Sequence, residues 1–250
     1  MTVKHIKCYL RNDMLIKNDN IELEFSLPEH MTDVGIRISG GLDSAIILYI
    51  LCTYITETKR DIKILPMTTN DWTKPYQVKW ATRVLNWIQN QFPNVNFYEH
   101  KTYQLKENED YIQGQVDHKL RVLKEFEQLN GKKIDVTLHG QNLAPPKEVT
   151  DKFVNSKGNY MVGPNSKDGR DTKQDAWVPE KKLYRPLINL DKQGIAEIYK
   201  YYKLTESLFN KTRSCEYLEA DKVARTNNYN SHCNTDCWWC AERKWGFGKI

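Results

Sequence analysis

Apolar and polar residues alternate near the start of the chain. Ile6, Cys8 and Leu10 share one face of an extended stretch, and Ile21, Leu23 and Phe25 share another. Between them, Asn18-Asp19-Asn20 supplies turn chemistry. This pattern predicts a β-hairpin, paired with the core or laid over its edge. The period then changes. Val34 to Ile38 is a short β-prone run interrupted by Gly35 and Arg37. It ends in Ser39-Gly40-Gly41, and a largely apolar helix is expected from Leu42 to Thr56. Ile62 to Met67 reads as the next strand. Val78, Ala81, Val84, Leu85 and Ile88 recur at helical spacing and predict an amphipathic helix. Val95 to Tyr98 is a third short strand, and Tyr111 to Leu129 a polar helix with one apolar stripe. Ile134 to Leu138 is a fourth strand, running into His139-Gly140-Gln141-Asn142. Strands alternating with helices predict an α/β fold with a doubly wound parallel sheet.

From Pro145 to Lys182 no apolar period is sustained, and the segment is rich in Lys, Asp, Asn, Gly and Pro. Loops of that length in a compact domain serve as lids, binding loops or disordered inserts. Order resumes at Leu187-Ile188-Asn189-Leu190. Asp191 then stands as an N-cap before a helix with Ile195, Ile198, Tyr199 and Tyr202 on one face. The chain thus divides into an N-terminal hairpin (1–33), an α/β core (34–144), a polar loop or lid (145–182) and a C-terminal part (183–250).

Composition narrows the class. A chain of 250 residues, 40% apolar and 28% charged, fits one soluble domain or a core with a small appendage. It is long enough to fold without disulfide staples. The longest apolar run, Ala45 to Cys52, is far short of the roughly 20 residues that span a bilayer. The opening MTVKHIKCYLRNDM has no signal-peptide core, so a cytoplasmic location is expected. With 37 Lys and Arg against 32 Asp and Glu, the net charge of +5 permits contact with phosphates without marking a dedicated nucleic-acid binder.

The sharpest chemical signal is Ser39-Gly40-Gly41-Leu42-Asp43-Ser44. Two glycines let a backbone turn tightly and bring its N–H groups to an anion. The helix that follows opens with free donors and a partial positive charge. Ser39 and Ser44 add hydroxyls. Asp43 would repel a phosphate directly, so its sensible task is to hold a divalent cation that bridges phosphate oxygens. The second signal is Cys215-x17-Cys233-x3-Cys237-x2-Cys240, beside Trp238 and Trp239. Four thiolates close a tetrahedral zinc shell, and a closed shell is structural. His232 could replace one ligand, although four thiols suffice. Cys52, on an apolar helix, reads as a small hydrophobe.

The hexapeptide resembles the SGGxDS loop of the ATP pyrophosphatase (PP-loop) superfamily, whose sheet is Rossmann-like, of the adenine nucleotide α-hydrolase type. The tail resembles the zinc-bearing C-terminus of 7-cyano-7-deazaguanine synthases: Ser214-Cys215, His232-Cys233, Cys237, Cys240, then Glu242-Arg243 and Phe247. Arg185-Pro186-Leu187 through Asp191-Lys192 to Ile195 also looks like a stretch of that family. The chain departs from the pattern in its cysteine gaps, in Thr69-Asn70-Asp71-Trp72 after the second strand, and in Gln141-Asn142-Leu143-Ala144-Pro145-Pro146 after the fourth.

The resemblance implies ATP, Mg2+ and Zn2+ as cofactors. It implies adenylation of 7-carboxy-7-deazaguanine, then nitrogen transfer from ammonia to give the nitrile used for queuosine, with AMP and pyrophosphate released. It also suggests a homodimer and requires no nucleic acid. Ser39, Gly40, Gly41, Leu42, Asp43 and Ser44 would hold the phosphates. Lys192 would meet the departing phosphates, or is a solvated lysine beside an N-cap. Arg243 would meet an anionic substrate, or cover the zinc shell. Asn142 is a candidate for the acceptor, and His139 stands where ligands gather in such sheets. Two other readings stay open: a PP-loop enzyme acting on a different acceptor (tRNA, a nucleobase or a protein carboxyl), and a non-catalytic zinc module that binds nucleic acid.

Overall fold

Around strand β3 (Asp33–Arg37) the chain builds a mainly parallel sheet flanked by helices. The computed structural model describes residues 13–70, 77–107, 109–150, 172–215 and 237–250. On one side of β3 lies β4 (Lys63–Asn70), reached through helix α1 (Leu42–Thr58). On the other side lies β7 (Val136–Leu138). The outer edge of β4 is shared by β5 (Asn96–Phe97) and β6 (Lys101–Gln104), both parallel to it. Beyond β7 come β9 (Leu183–Tyr184), parallel, and β8 (Trp177–Val178), which turns back antiparallel. The crossovers change direction between β3 and β7, and ligands bind such sheets in that crevice.

The sheet is covered on both faces because its strands are apolar on both. Along β4, Ile64 joins the main core with α1, α2 (Gln77–Gln91) and α5 (Lys192–Tyr201). Its neighbours Leu65 and Met67 point the other way, onto Val122 and Phe126 of α3 (Tyr111–Asn130). Gly35 faces α3 as well; a Cβ there would sit 3.1 Å from Met67 Cε, so the glycine keeps β3 close under its neighbours. Helix α1 is apolar nearly all round and is buried from Leu42 to Ile55 apart from Asp43, Tyr49 and Thr53. Each Ile or Leu so buried contributes about 1.5–3 kcal/mol.

The hairpin forms, but from a different first strand than expected. Strand β1 is Asp13–Lys17, directly before the turn, and it pairs with β2 (Glu22–Ser26). Asn18 Oδ1 accepts from the N–H groups of Asn20 and Ile21, which fixes that turn. Ile6, Cys8 and Leu10 lie outside the described residues. The hairpin forms its own two-stranded sheet and buries Met14, Ile16, Leu23 and Phe25 against the core.

Two further expectations are corrected. The third strand forms as β5 within Val95 to Tyr98, but β6 was not expected, because Lys-Thr-Tyr-Gln has too few apolar residues to show a period. The polar segment is not wholly irregular: it holds the short helix α4 (Lys147–Thr150), strand β8 and a 3-10 turn at Pro179–Lys181. Residues 151–171 lie outside the described part. Among the described residues, no helix is long and apolar enough to cross a membrane.

Candidate active site at the end of the parallel sheet

The glycine loop leaves β3 at the crossover point, as its spacing predicts. Inside it, Ser39 N–H donates to Ser44 Oγ at 3.2 Å, Gly41 N–H donates to Ser39 Oγ at 3.3 Å, and Ser44 Oγ donates to Gly41 O at 3.3 Å. Gly40 has φ +80°, a conformation open to glycine, and its missing side chain lets the loop press on the backbone of α2 at Trp80 and Ala81. Gly41 takes the N-cap position of α1 and contributes no side-chain acceptor. The first-turn donors of a 17-residue helix are thereby left for an anion. From the other side, Gly140 at the end of β7 approaches so closely that a Cβ would lie 2.9 Å from Ser44 N.

Lys192 opens α5, whose N-cap Asp191 accepts from Gly194 N–H at 2.9 Å. Its ammonium donates to both carboxylate oxygens of Asp43 at 2.7 Å and lies 3.3 Å from Glu242 Oε2. Lysine is rarely buried without such partners, and Lys192 is 3% exposed. Burial pulls it toward neutrality, but Asp43 and then Glu242 overcome that and hold its pKa above the ordinary lysine value. Glu242 lies on helix α6 (Trp238–Phe247), four residues before Gly246. A Cβ on Gly246 would sit 2.6 Å from Lys192 Cγ, so this glycine brings α6 down on α5 and sets Glu242, on the same face, over the ammonium. Asn142 is buried, and its Nδ2 donates to Leu143 O at 3.0 Å and to Glu242 Oε1 at 3.4 Å.

The loop separates two cavities, and Ser39 and Asp43 line both. The larger, about 370 Å³, is bounded by Arg37, Met67, Thr69, Gln115, His139, Gly140 and Gln141. Its size suits a nucleoside-sized ligand. The smaller, about 150 Å³, is bounded by Gln77, Trp80, Lys192, Arg213, Cys215, Trp239 and Glu242.

Two histidines, His139 lining the larger cavity and His118 bonded to its Thr69, are held neutral. His139 Nε2 is buried without a hydrogen-bond partner. Burial, then Arg37, Lys119 and Arg185, push its pKa down to about 2. His118 bonds Thr69 Oγ1 through Nδ1 at 2.7 Å. Burial, then Arg121, Arg37 and His100, push its pKa down to about 4. Between pH 6.5 and 4 an unfolded chain binds protons at these positions that the folded chain does not. Stability should therefore fall as pH drops through that window, by about 2 kcal/mol per histidine at pH 5. Urea denaturation at pH 7 and pH 5 measures the difference. His118→Asn should flatten the dependence, and an unchanged slope would remove His118 as a cause.

Three of the four expected zinc ligands come together. Cys215, Cys237 and Cys240 are buried, with their sulfurs within 4.8 Å of one another; Cys233 lies outside the described residues. Hydrogen bonding of the Cys240 thiol to Cys215 and Cys237, then burial, holds it far above the usual range. Thiolates packed so closely need a cation, and the donor set suits zinc or another thiophilic ion. Cys215 also lines the smaller cavity, so the cluster adjoins the glycine loop. Trp239 packs against it.

Arg243 packs beside the segment that leads to Cys215. It is 1% exposed, donates to Thr212 Oγ1 at 3.0 Å and Phe209 O at 3.1 Å, and stacks on the Phe209 ring. It braces α6 against the segment leading to Cys215 and lines neither cavity beside the loop. Arg213 N–H in that segment donates to Gly40 O at 2.8 Å. Sequence reasoning named neither Glu242 nor Arg213 as a site residue. The glycine at Gly246, one turn beyond Glu242 in an otherwise helical run, was the available signal.

No protein-family model matches the chain, and no curated protein matches it. Among solved structures it is similar to the U34-tRNA thiolase NcsA from Methanococcus maripaludis with its 4Fe-4S cluster. Identity is 14%, with 87% of this chain and 71% of that one covered, at a TM-score of 0.41. It is also similar to the NAD+ synthetase from Burkholderia pseudomallei, at 14% identity over 88% and 75% of the two chains with a TM-score of 0.41. For the glutamine-dependent NAD+ synthetase from Acinetobacter baumannii in complex with ADP, the values are 15%, 79%, 35% and 0.40.

Proposed function

We propose that the chain cleaves ATP between its α- and β-phosphates and transfers AMP to an oxygen of a small acceptor. The observation that carries this reading is the Ser39–Ser44 loop, opening a buried helix at the crossover point of the sheet and faced by the buried ammonium of Lys192. The resemblance of that loop to the PP-loop superfamily supports the bond that breaks. The loop N–H groups and the start of α1 bind the β- and γ-phosphates, and the larger cavity takes the nucleoside. Asp43, the acid common to both cavities, would hold Mg2+, which would neutralise phosphate charge. Lys192 then leaves Asp43 for the leaving pyrophosphate, with Glu242 keeping it in reach.

A carboxylate acceptor needs no general base, since it is already ionised at neutral pH. Its oxygen bonds to the α-phosphorus, the bond to the β-phosphate bridge breaks, and pyrophosphate departs. Ammonia then attacks the acyl carbon, AMP leaves with the bridging oxygen, and a proton passes to solvent. The acceptor favoured by the cysteine-bearing tail is 7-carboxy-7-deazaguanine, carried to the nitrile by a second activation. The set of Arg37, Thr69, Gln115 and Gln141 around the larger cavity keeps a second reading alive, in which the same chemistry serves another acceptor.

AMP and pyrophosphate formation from Mg-ATP, with and without 7-carboxy-7-deazaguanine and ammonium, tests the reading by mass spectrometry. A nitrile product is expected. AMP without nitrile points to another acceptor. Absence of AMP under every condition would favour a non-catalytic zinc module. Asp43→Ala should reduce AMP formation by about 10²–10³ without loss of the folded state, and unchanged turnover would remove Asp43 from the metal site.

A further inference from the structure

The thiol cluster and the phosphate loop are joined by two independent links. Cys237 is the N-cap of α6 and Cys240 lies in its first turn; on the next residues of that helix stand Glu242, held on Lys192, and Arg243, held on Thr212 and Phe209. Cys215 ends the segment whose Arg213 N–H bonds Gly40 O of the loop. An ion that draws Cys215, Cys237 and Cys240 together therefore pulls on both at once. One link ends on the loop backbone. The other ends on the lysine that neutralises Asp43.

The second link is stiff. Glu242 is 3% exposed, one of its oxygens faces Lys192 and the other faces Asn142, and Gly246 leaves α6 no slack over α5. The pairing is also unequal. Lys192 lies 2.7 Å from Asp43 and 3.3 Å from Glu242, so in this state Asp43 holds it more closely. A phosphate ligand requires the reverse, with Asp43 released and Lys192 retained by Glu242 alone. The position of α6 decides whether Glu242 can do so.

We infer that occupancy of the thiol cluster sets the affinity of the phosphate site through α6, with Glu242 as the positioning residue that couples them. This rests on the phosphate-binding reading above. Such coupling is reciprocal: if zinc strengthens phosphate binding by some factor, phosphate strengthens zinc binding by the same factor. A cluster that only staples the C-terminus would lack this property.

Titration of the zinc-loaded chain with Mg-pyrophosphate, followed by calorimetry, is one arm. The same titration after zinc removal is the second. Competition for zinc with a chromophoric chelator, with and without pyrophosphate, is the third. Zinc removal should weaken pyrophosphate binding about tenfold, and pyrophosphate should raise zinc affinity by the same factor. Glu242→Gln should still bind zinc, yet pyrophosphate should change its zinc affinity less than about twofold.

The third arm starts from the metal-loaded chain, and the Glu242→Gln comparison separates coupling through α6 from any unfolding of the stripped chain, which the two chains share. Equal zinc affinity with and without pyrophosphate in the parent chain overturns the coupling. Undiminished coupling in Glu242→Gln overturns the assigned route. Failure of the zinc-loaded chain to bind pyrophosphate overturns the phosphate site itself, and the inference with it.

Discussion

Lys192→Ala should lose more stability and more activity than any other single change at the site. The ammonium is the cation between two carboxylates, Asp43 and Glu242, and the Glu242 side chain is 4% exposed. Removing it takes away the ammonium that both carboxylates share, one of them buried. Breaking a buried pair in this way costs about 3–5 kcal/mol, because the remaining charge keeps its desolvation penalty. The variant relieves the penalty by protonating a carboxyl, so its deficit should be larger at pH 8 than at pH 5.5. Lys192→Met combined with Glu242→Gln should restore most of the stability and none of the AMP formation. Urea denaturation at the two pH values and the AMP assay measure these effects. A single variant with the midpoint of the parent chain at both pH values would show that the triad contributes nothing to the fold.

Gly40→Ala is the second large effect. Two penalties coincide at this residue. Its φ of +80° strains any side chain, and a Cβ would lie 2.5 Å from Trp80 Cβ, 2.7 Å from the Trp80 carbonyl carbon and 2.8 Å from Ala81 N. Two of these atoms are backbone within a helix and cannot swing aside. The expected loss is about 3 kcal/mol or more, and phosphate binding should fall with it because the loop must shift. Gly131→Ala is the internal control. Gly131 has φ +66° at the C-cap of α3 with nothing within 4 Å, so it isolates the conformational part, about 1 kcal/mol. Equal losses at the two glycines would show that the contact of the loop with α2 does not matter.

Much of this fold is written in local periodicity. The 3.6-residue spacing of α2, the all-round apolar character of α1 and the Asp191 cap each reflect one element and its immediate surroundings. The strand, glycine turn and helix at 33–58 could be read for the same reason. Where neighbours far along the chain decide the outcome, the sequence is nearly silent. Strand β6 exists because the long edge of β4 offers it partners from Met67 to Asn70. Trp177-Val178 is a strand only because Leu183-Tyr184 lies beside it.

The roles of charged residues divide in the same way. Asp43 stands in the loop and could be named from its neighbours. Arg243 and Glu242 are adjacent, yet one braces the cluster segment and the other faces Lys192, and the side of α6 each occupies depends on packing at Gly246. Burial decides the surroundings of Arg243: its Nη1 and Nη2 donate to Thr212 and Phe209, and the residue lines neither cavity beside the loop.

The bond between Lys192 and Asp43 closes over a sequence separation of 149. Loops of that span form late in folding, after the local elements they join. During synthesis the β3–α1 unit emerges first, while the lysine, and then the helix carrying Glu242, follow later. A nascent chain therefore carries the glycine loop before it carries the ammonium that meets Asp43. The triad of Asp43, Lys192 and Glu242 is complete only once the helix bearing Glu242 has docked on α5.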